Sequence, residues 1–257
     1  MPLKLSIIIP ALNEEDNIAN TIHNCLSALD DLNINGELLC INDGSNDNTF
    51  NIIKKKSFID SRIRVINHEK PFGFGGSFWH GVDNAKGDVV TVIPGDNEND
   101  PWETFRYINL LNEVDFVIPF VFNKHVRSLK RRLLSFIFTS IINFTFRTRL
   151  NYTNGTVIYK LAILKKLNYR SSSFFFQTDI LIRLIKTGYM FAEVPYRLGM
   201  RKSNISKAIT FPSLFQVICG YIILLKDSYN KKISKEIDKK SITFKRKNIN
   251  KLYKKNK

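Results

Sequence analysis

The chain has 257 residues, of which 44% are hydrophobic, and this composition excludes a wholly disordered protein. The formal net charge of +16 is unevenly distributed, because residues 226–257 contain 13 Lys and Arg but only 3 Asp and Glu. Cys25, Cys40 and Cys219 are odd in number and far apart, which excludes a disulfide framework and a cysteine metal site and favours a reducing, cytosolic compartment.

The first part of the chain alternates between short β-branched segments and segments with helical spacing. Strands are predicted at 5–10, 37–42, 63–66 and 88–93, with helices at 14–29, 49–56 and about 76–85. This alternation predicts a mostly parallel sheet covered by helices on both faces. Ligands of such sheets bind beyond the carboxyl ends of the strands, where polar segments lie in this sequence.

Two apolar segments lie in the second part of the chain, at 133–146 and 211–225, and Arg131 and Arg132 precede the first. Each is shorter than the roughly 20 apolar residues that span a bilayer. Either can lie in a membrane interface or pack in the core, and periodicity does not separate these alternatives. The basic segment 230–257 is expected to be a disordered tail that meets lipid, nucleic acid or no partner at all.

The fourth predicted strand leads into an acidic segment that contains Asp96 and Glu98, with Gly95 in front of them. Side chains two residues apart on an extended backbone point to the same side, so both carboxylates can face one cation. Hard divalent cations such as Mg²⁺ and Mn²⁺ prefer oxygen ligands and also bind substrate phosphates. The segment therefore predicts a metal site for a diphosphate leaving group, with a solvated acidic turn as the alternative.

Three further polar segments follow predicted strands. Asp43 can accept hydrogen bonds from a base or ribose, or it can form a turn. Glu14 and Glu15 can serve a ligand or simply favour the N-terminus of the helix that follows. The glycine-rich segment 70–77 resembles a phosphate-binding loop but fits neither the P-loop nor the G-x-G-x-x-G pattern.

The order and spacing of these motifs closely resemble the family 2 glycosyltransferases of the GT-A fold, especially the subgroup around dolichyl-phosphate mannose synthase. The similarity runs from about residue 3 to residue 207 and is carried by 7–15, 42–47, 73–76, 85–88, the acidic segment, 150–155, 176–179, 193–195 and 201–207. This sequence departs from the usual pattern at four positions, which are Pro71, Glu98, Asn151 and Asn204.

The resemblance implies an α/β, Rossmann-like GT-A domain at 1–210. The composition of the rest of the chain predicts an apolar helix at 211–229 that can associate with a membrane, and the basic tail at 230–257. The resemblance also implies Mg²⁺ or Mn²⁺ as cofactor, held by Asp96 and Glu98, with Asp96 and Asp179 as catalytic residues. The implied nucleotide-sugar-binding residues are Pro10, Asn13, Glu14, Asp43, Gly75, Asp96, Arg201 and Lys207. The implied acceptor-side residues are Asn154, Gly155, Gln177 and Asp179.

The function expected from this resemblance is an inverting hexosyltransferase of cell envelope polysaccharide or glycolipid biosynthesis. It would use a UDP- or GDP-sugar, act on a polyprenyl phosphate or glycolipid, and lie in the cytoplasm on an anionic membrane surface. A hydroxyl acceptor needs a general base, for which Asp179 is the candidate, whereas a lipid phosphate does not. The alternatives are a nucleic-acid-binding protein, suggested by the pI of about 9.7, a catalytically silent nucleotide-sugar-binding module and, more weakly, a nucleotidyltransferase.

Overall fold

A seven-stranded sheet forms the centre of the computed structural model, which describes residues 3–198, 211–230 and 232–255. The strands are β1 (Leu5–Ala11), β2 (Gly36–Asp43), β3 (Ile63–His68), β4 (Val89–Val92), β5 (Phe116–Val121), β6 (Ile158–Lys160) and β7 (Phe191–Tyr196). Their order in the sheet is β3-β2-β1-β4-β6-β5-β7. All pairs are parallel except those of β6, which is antiparallel to β4 and β5.

Helices cover the sheet between these strands. They are α1 (Ile18–Asp31), α2 (Thr49–Ile59), α3 (Gly73–Asn84), α4 (Pro101–Phe105), α5 (Leu129–Phe146), α6 (Leu161–Lys165), α7 (Phe176–Thr187), α8 (Phe211–Tyr229) and α9 (Ile242–Lys255). Two 3₁₀ helices lie at Ile108–Asn112 and Lys124–Val126. Within the described part of the chain, no helix is both long and apolar enough to cross a membrane.

The core has two layers because the sheet is buried on both faces. In β1, Ile8 belongs to one buried cluster, whereas Ile7 and Ile9 belong to the other. Successive side chains of a strand point to opposite faces, so a continuous apolar run is what a doubly covered strand requires. This arrangement confirms the predicted mostly parallel sheet with helices on both sides.

The carboxyl ends of β1, β2 and β4 meet at one edge of the sheet. The register pairs Pro10 with Ile41 and Ala11 with Asn42, so the loops that follow β1 and β2 are neighbours. The segment before β6 reaches the same edge, since β6 runs antiparallel to its neighbours. There Gly155 lies so close to β5 that an added Cβ would be 2.5 Å from the Pro119 carbonyl oxygen. This edge therefore brings segments from both parts of the chain together.

The C-terminal segment differs from the disordered tail that the sequence predicts. Ile233 and Ile237 pack against the core, and α9 begins on Asp115, which is fully buried. The Asp115 carboxylate accepts hydrogen bonds from the backbone N–H groups of Ile242 (2.7 Å) and Thr243 (3.1 Å) and from the Thr243 hydroxyl. The prediction rested on the density of lysines, whereas apolar and capping residues between the lysines dock the segment.

We expect Asp115→Ala to lower the free energy of unfolding by about 3 kcal/mol, because buried donors lose their acceptor. Urea denaturation measures this loss. Glu113→Gln is the matched control, since Glu113 contacts Arg246 at the surface of the same docking site. An exposed ion pair of this kind contributes less than about 1 kcal/mol. Equal losses in the two variants would show that Asp115 does not fasten α9.

Candidate active site

The acidic turn at residues 95–98 is fastened to the end of β1. The Gly95 N–H donates to the Pro10 carbonyl oxygen at 3.0 Å, and the Gly95 carbonyl oxygen accepts from the Thr21 hydroxyl at 3.0 Å. An added Cβ at Gly95 would lie 3.0 Å from the Ala11 Cβ, so glycine permits this close approach. The position of the turn is therefore set by β1 and α1.

The two acidic residues of the turn, Asp96 and Glu98, flank a residue with a left-handed backbone conformation. Asn97 has φ = 55°, in the left-handed region that asparagine tolerates better than most residues. Its Oδ1 accepts from Asn24 Nδ2 at 2.9 Å, and Asp96 Oδ1 accepts from the Glu98 N–H at 3.1 Å. Since β4 ends at Val92, Asp96 and Glu98 lie in a turn and not on the extended backbone assumed from the sequence.

The donor set of the acidic turn fits a divalent cation that arrives with phosphate. Asp96 and Glu98 are half-buried and carry hard oxygen donors, which suit Mg²⁺ or Mn²⁺. Within the described ranges, no group of three or more His, Cys, Asp and Glu residues could hold a metal ion. Such a cation would therefore take most of its ligands from water and from a diphosphate.

The loops after β1 and β2 interlock beside the acidic turn. Asn13 has φ = 53°; its N–H donates to Ser45 Oγ at 3.0 Å, and its Oδ1 accepts from the Asn46 N–H at 2.9 Å. The Glu14 N–H donates to Thr49 Oγ1 at 2.9 Å. Three residues predicted to bind the nucleotide sugar, Pro10, Asn13 and Glu14, thus lie on one rigid ledge next to Asp96.

Asp43 organises the glycine-rich segment from a buried position. Its carboxylate accepts from the backbone N–H groups of Phe72 (2.8 Å) and Gly73 (2.9 Å) and from His68 Nδ1 (2.8 Å). Nε2 of His68 lies 2.7 Å from Nδ1 of His80, so a hydrogen-bonded chain leads from Asp43 to an exposed imidazole. The expected nucleotide contact of Asp43 stays a prediction, and the structure adds a role in positioning α3.

Gly75 is required by packing. An added Cβ would lie 2.7 Å from the Ser171 carbonyl oxygen and equally close to the Ser172 backbone. Trp79 Nε1 donates to the same Ser171 oxygen at 3.1 Å. The start of α3 therefore packs closely against the segment before α7. This packing accounts for glycine at position 75 without a role in phosphate binding.

The predicted acceptor-side residues divide into two groups. The Gly155 carbonyl oxygen accepts from Gln177 Nε2 at 2.7 Å, and Asn154 Oδ1 accepts from the Thr178 hydroxyl at 3.3 Å, so these residues lie together. Asp179 is only 1% exposed and therefore does not lie on the surface of the site. The predicted contact between Asp179 and an acceptor stays a prediction.

Asp179 belongs to a buried ion-pair chain between α7 and α8. Its Oδ2 accepts from Arg183 Nε at 2.8 Å, and an Arg183 Nη donates to Asp227 at 2.8 Å. Asp179 Oδ1 has no hydrogen-bond partner among the residues that the structure describes. Burial raises the pKa of Asp179 to about 6, and the neighbouring Arg183 opposes that rise.

Three residues at this edge were missed from the sequence. The Tyr196 hydroxyl accepts from the Asp100 N–H at 2.9 Å and so joins β7 to the start of α4, just after the acidic turn. Arg127 donates to the Tyr152 hydroxyl at 3.1 Å, while its buried Nε has no partner among the described residues. Asn42 Oδ1, at the end of β2, is also buried and has no partner in the part of the chain that the structure describes.

The common signal of these three residues is their place at or just beyond the carboxyl end of a strand. For Arg127 and Tyr196 this signal requires β5 and β7, which were not recognised in the sequence. The predicted phosphate-binding residues Arg201 and Lys207 lie outside the described residues.

Comparisons with known proteins agree with this arrangement. Residues 6–168 match the family model described as glycosyl transferase family 2. Among curated relatives, the uncharacterized glycosyltransferase YkcC of Bacillus subtilis is 34% identical over 99 residues, covering 38% of this chain and 31% of the relative. The dodecaprenyl-phosphate galacturonate synthase of Rhizobium johnstonii is 23% identical over 171 residues, covering 64% of this chain and 50% of the relative. The chain therefore spans half or less of the length of these relatives.

The fold also resembles a solved structure. Glucosyl-3-phosphoglycerate synthase from Mycobacterium tuberculosis, crystallised with Mn²⁺, UDP-glucose and phosphoglyceric acid, superposes with a TM-score of 0.66 at 19% identity. The match covers 87% of this chain and 80% of that one. At this identity the likeness establishes a shared fold.

We expect Asp179 to make stability depend on pH. Its pKa in the folded protein, about 6, exceeds its ordinary value of 3.8, so ionisation of Asp179 costs stability as the pH rises from about 4 to above 6. Relative to Asp179→Asn, the wild type should lose about 3 kcal/mol of unfolding free energy across this range. Urea denaturation of both proteins at several pH values measures the difference. A pH-independent difference would contradict the assignment.

Proposed function

This chain belongs to glycosyl transferase family 2, and we propose that it transfers a sugar from a nucleotide-sugar donor to a lipid phosphate acceptor. The donor is a UDP- or GDP-sugar, and the sugar is a hexose. The observation that carries the proposal is the attachment of the acidic turn to the end of β1, where the Gly95 N–H donates to the Pro10 carbonyl oxygen. This attachment puts two carboxylates beside the interlocked loops proposed to hold the nucleotide.

On the donor side, the ledge of Pro10, Asn13 and Glu14 would bind the nucleoside, while Asp96 and Glu98 would hold Mg²⁺ or Mn²⁺. When bound, the cation would stabilise the charge that develops on the departing diphosphate. We propose that Arg201 and Lys207 bind the phosphates, because their segment resembles the corresponding segment of the family. The acceptor oxygen forms a bond to the anomeric carbon as the bond to diphosphate breaks, and attack from the opposite face inverts that carbon.

On the acceptor side, the burial of Asp179 favours a phosphate over a hydroxyl. A hydroxyl acceptor needs a positioned base that reaches the substrate, whereas a phosphate oxygen is already anionic. Asp179 is enclosed between α7 and α8 and paired with Arg183. Arg127, whose Nε has no partner within the described ranges, is the proposed cation for the acceptor phosphate, and arginine is well suited to phosphate oxygens. The name of the Rhizobium relative agrees with an acceptor of this class.

We expect Asp96→Asn to lower sugar transfer roughly hundredfold, because the variant loses the charge that holds the cation. The assay screens UDP- and GDP-sugars with Mn²⁺ and undecaprenyl phosphate. Asp83→Asn is the matched control, since Asp83 is an exposed acid that pairs with Arg170. Equal transfer by wild type and Asp96→Asn would refute the metal assignment.

The class of acceptor has a separate test. We expect Asp179→Asn to retain transfer to undecaprenyl phosphate within about tenfold of wild type, since loss of a general base costs roughly 10²–10⁴-fold. The turnover number at saturating acceptor is the quantity to measure. A drop of that larger size in a folded variant would show that Asp179 acts in catalysis, and would remove the argument for a phosphate acceptor that rests on its burial.

A further inference from the structure

The exposed apolar surface of the protein is concentrated on α5 and α8. Of the twenty large hydrophobic side chains that are exposed in the described residues, thirteen lie on these two helices. We call their outward faces the apolar platform. It is represented by Leu133, Phe136 and Phe144 on α5 and by Leu214, Phe215 and Ile218 on α8.

Helix α5 differs from an ordinary surface helix, because much of its apolar surface faces outward and not into the core. Its buried residues are only Thr139, Ile142 and Phe146. Phe136 is 70% exposed and Phe144 is 89% exposed, at positions that share the outward side of the helix. Contiguous apolar patches of this kind are rare on soluble monomers and mark interaction sites.

The two helices form one surface because they are joined to each other and to the core. Thr145 Oγ1 lies 2.8 Å from the Tyr221 hydroxyl oxygen, and the Tyr221 ring packs edge-on against Phe146. Gly220 of α8 sits on Phe175, where an added Cβ would be 2.8 Å from the ring. Phe138 of α5 contacts the same Phe175 ring. The platform is therefore held in place by packed aromatic residues.

The charge in the part of the chain that contains α5 has one sign. Residues 116–178 contain eleven Lys and Arg residues and no Asp or Glu. Lys130 and Arg132 are exposed in the first turn of α5, where positive charge opposes the helix dipole and does not stabilise the helix. The positive charges of Lys130 and Arg132 are instead complementary to an anionic surface that would lie against the apolar side chains.

The platform lies next to the acceptor side of the candidate site. Helix α5 connects the segment of Arg127 with the segment 150–155, and α8 packs on the residues that precede α7. By contrast, α9 begins on Asp115, at the amino end of β5 and thus at the opposite edge of the sheet. The basic C-terminal helix is therefore fixed away from the acceptor segment.

From these observations we propose that the apolar platform docks on a bilayer that contains anionic lipids. The exposed Leu, Phe and Ile side chains enter the boundary of the acyl chains, while Lys130 and Arg132 meet lipid phosphates. This inference deepens the proposed function, because it places the acceptor segment at the surface from which a lipid phosphate would be taken. Its test requires no transfer activity, so the two proposals can fail separately.

The test is co-sedimentation of the full chain with phosphatidylcholine vesicles that contain phosphatidylglycerol. We expect the double variant Phe136→Ser, Phe144→Ser to lower the vesicle partition coefficient by at least about tenfold. Lys130→Ser and Arg132→Ser should each lower it about fivefold, only on anionic vesicles and only at low salt. The matched control is Phe58→Ser, Ile59→Ser on α2, which removes two equally exposed apolar side chains away from the platform.

A second measurement locates the contact. Tryptophan placed at Phe144 should be quenched by brominated lipids in the vesicle-bound protein, whereas tryptophan placed at Phe58 should not. Equal binding by wild type and platform variants, or equal quenching at both positions, would overturn the proposal. The proposal would also be overturned if the wild type did not bind vesicles but formed a dimer, measured by light scattering, that the platform variants abolish. The platform would then be an interface between two copies of the chain.

Discussion

The candidate site depends on the close contact between the acidic turn and the end of the first strand. The Gly95 N–H donates to Pro10, and the Gly95 carbonyl oxygen is held by Thr21 of α1. These two bonds tie a turn after β4 to β1 and α1. An added Cβ at position 95 would lie only 3.0 Å from the Ala11 Cβ, so this close contact favours glycine and holds the carboxylates in position before substrate binds, which reduces the ordering required on binding.

Several polar residues of the site make hydrogen bonds that hold the protein's own segments in place. Asn13 holds the β1 and β2 loops together, and Asp43 holds the start of α3 through Phe72 and Gly73. Asp179 is enclosed by α7 and α8 beneath the acceptor segment. The donor side is thus a rigid ledge of polar groups, whereas the acceptor side combines basic residues with an exposed apolar surface. This asymmetry matches a reaction between a water-soluble donor and a lipid-borne acceptor.

The sequence predicted the first four strands to within one or two residues, because β1, β2 and β4 are continuous apolar runs that end in polar turns. It did not predict β5 and β7, where Pro119 and Pro195 interrupt the pattern, or β6, which has three residues and owes its pairing to its neighbours. The acidic turn, Asn154 and Gln177 could be found from local motifs. Burial of Asp179 and the roles of Arg127 and Tyr196 depend on tertiary packing, which spacing along the chain does not encode.

Diffraction from crystals grown with Mn²⁺ and a nucleoside diphosphate tests the central claim most directly, because manganese gives an anomalous signal. The account predicts a peak about 2.1 Å from a carboxylate oxygen of Asp96, with diphosphate oxygens among its other ligands. The same nucleotide should lie over the loops that follow β1 and β2. A manganese peak elsewhere, with nucleotide bound and Asp96 making no contact to either, would contradict the account.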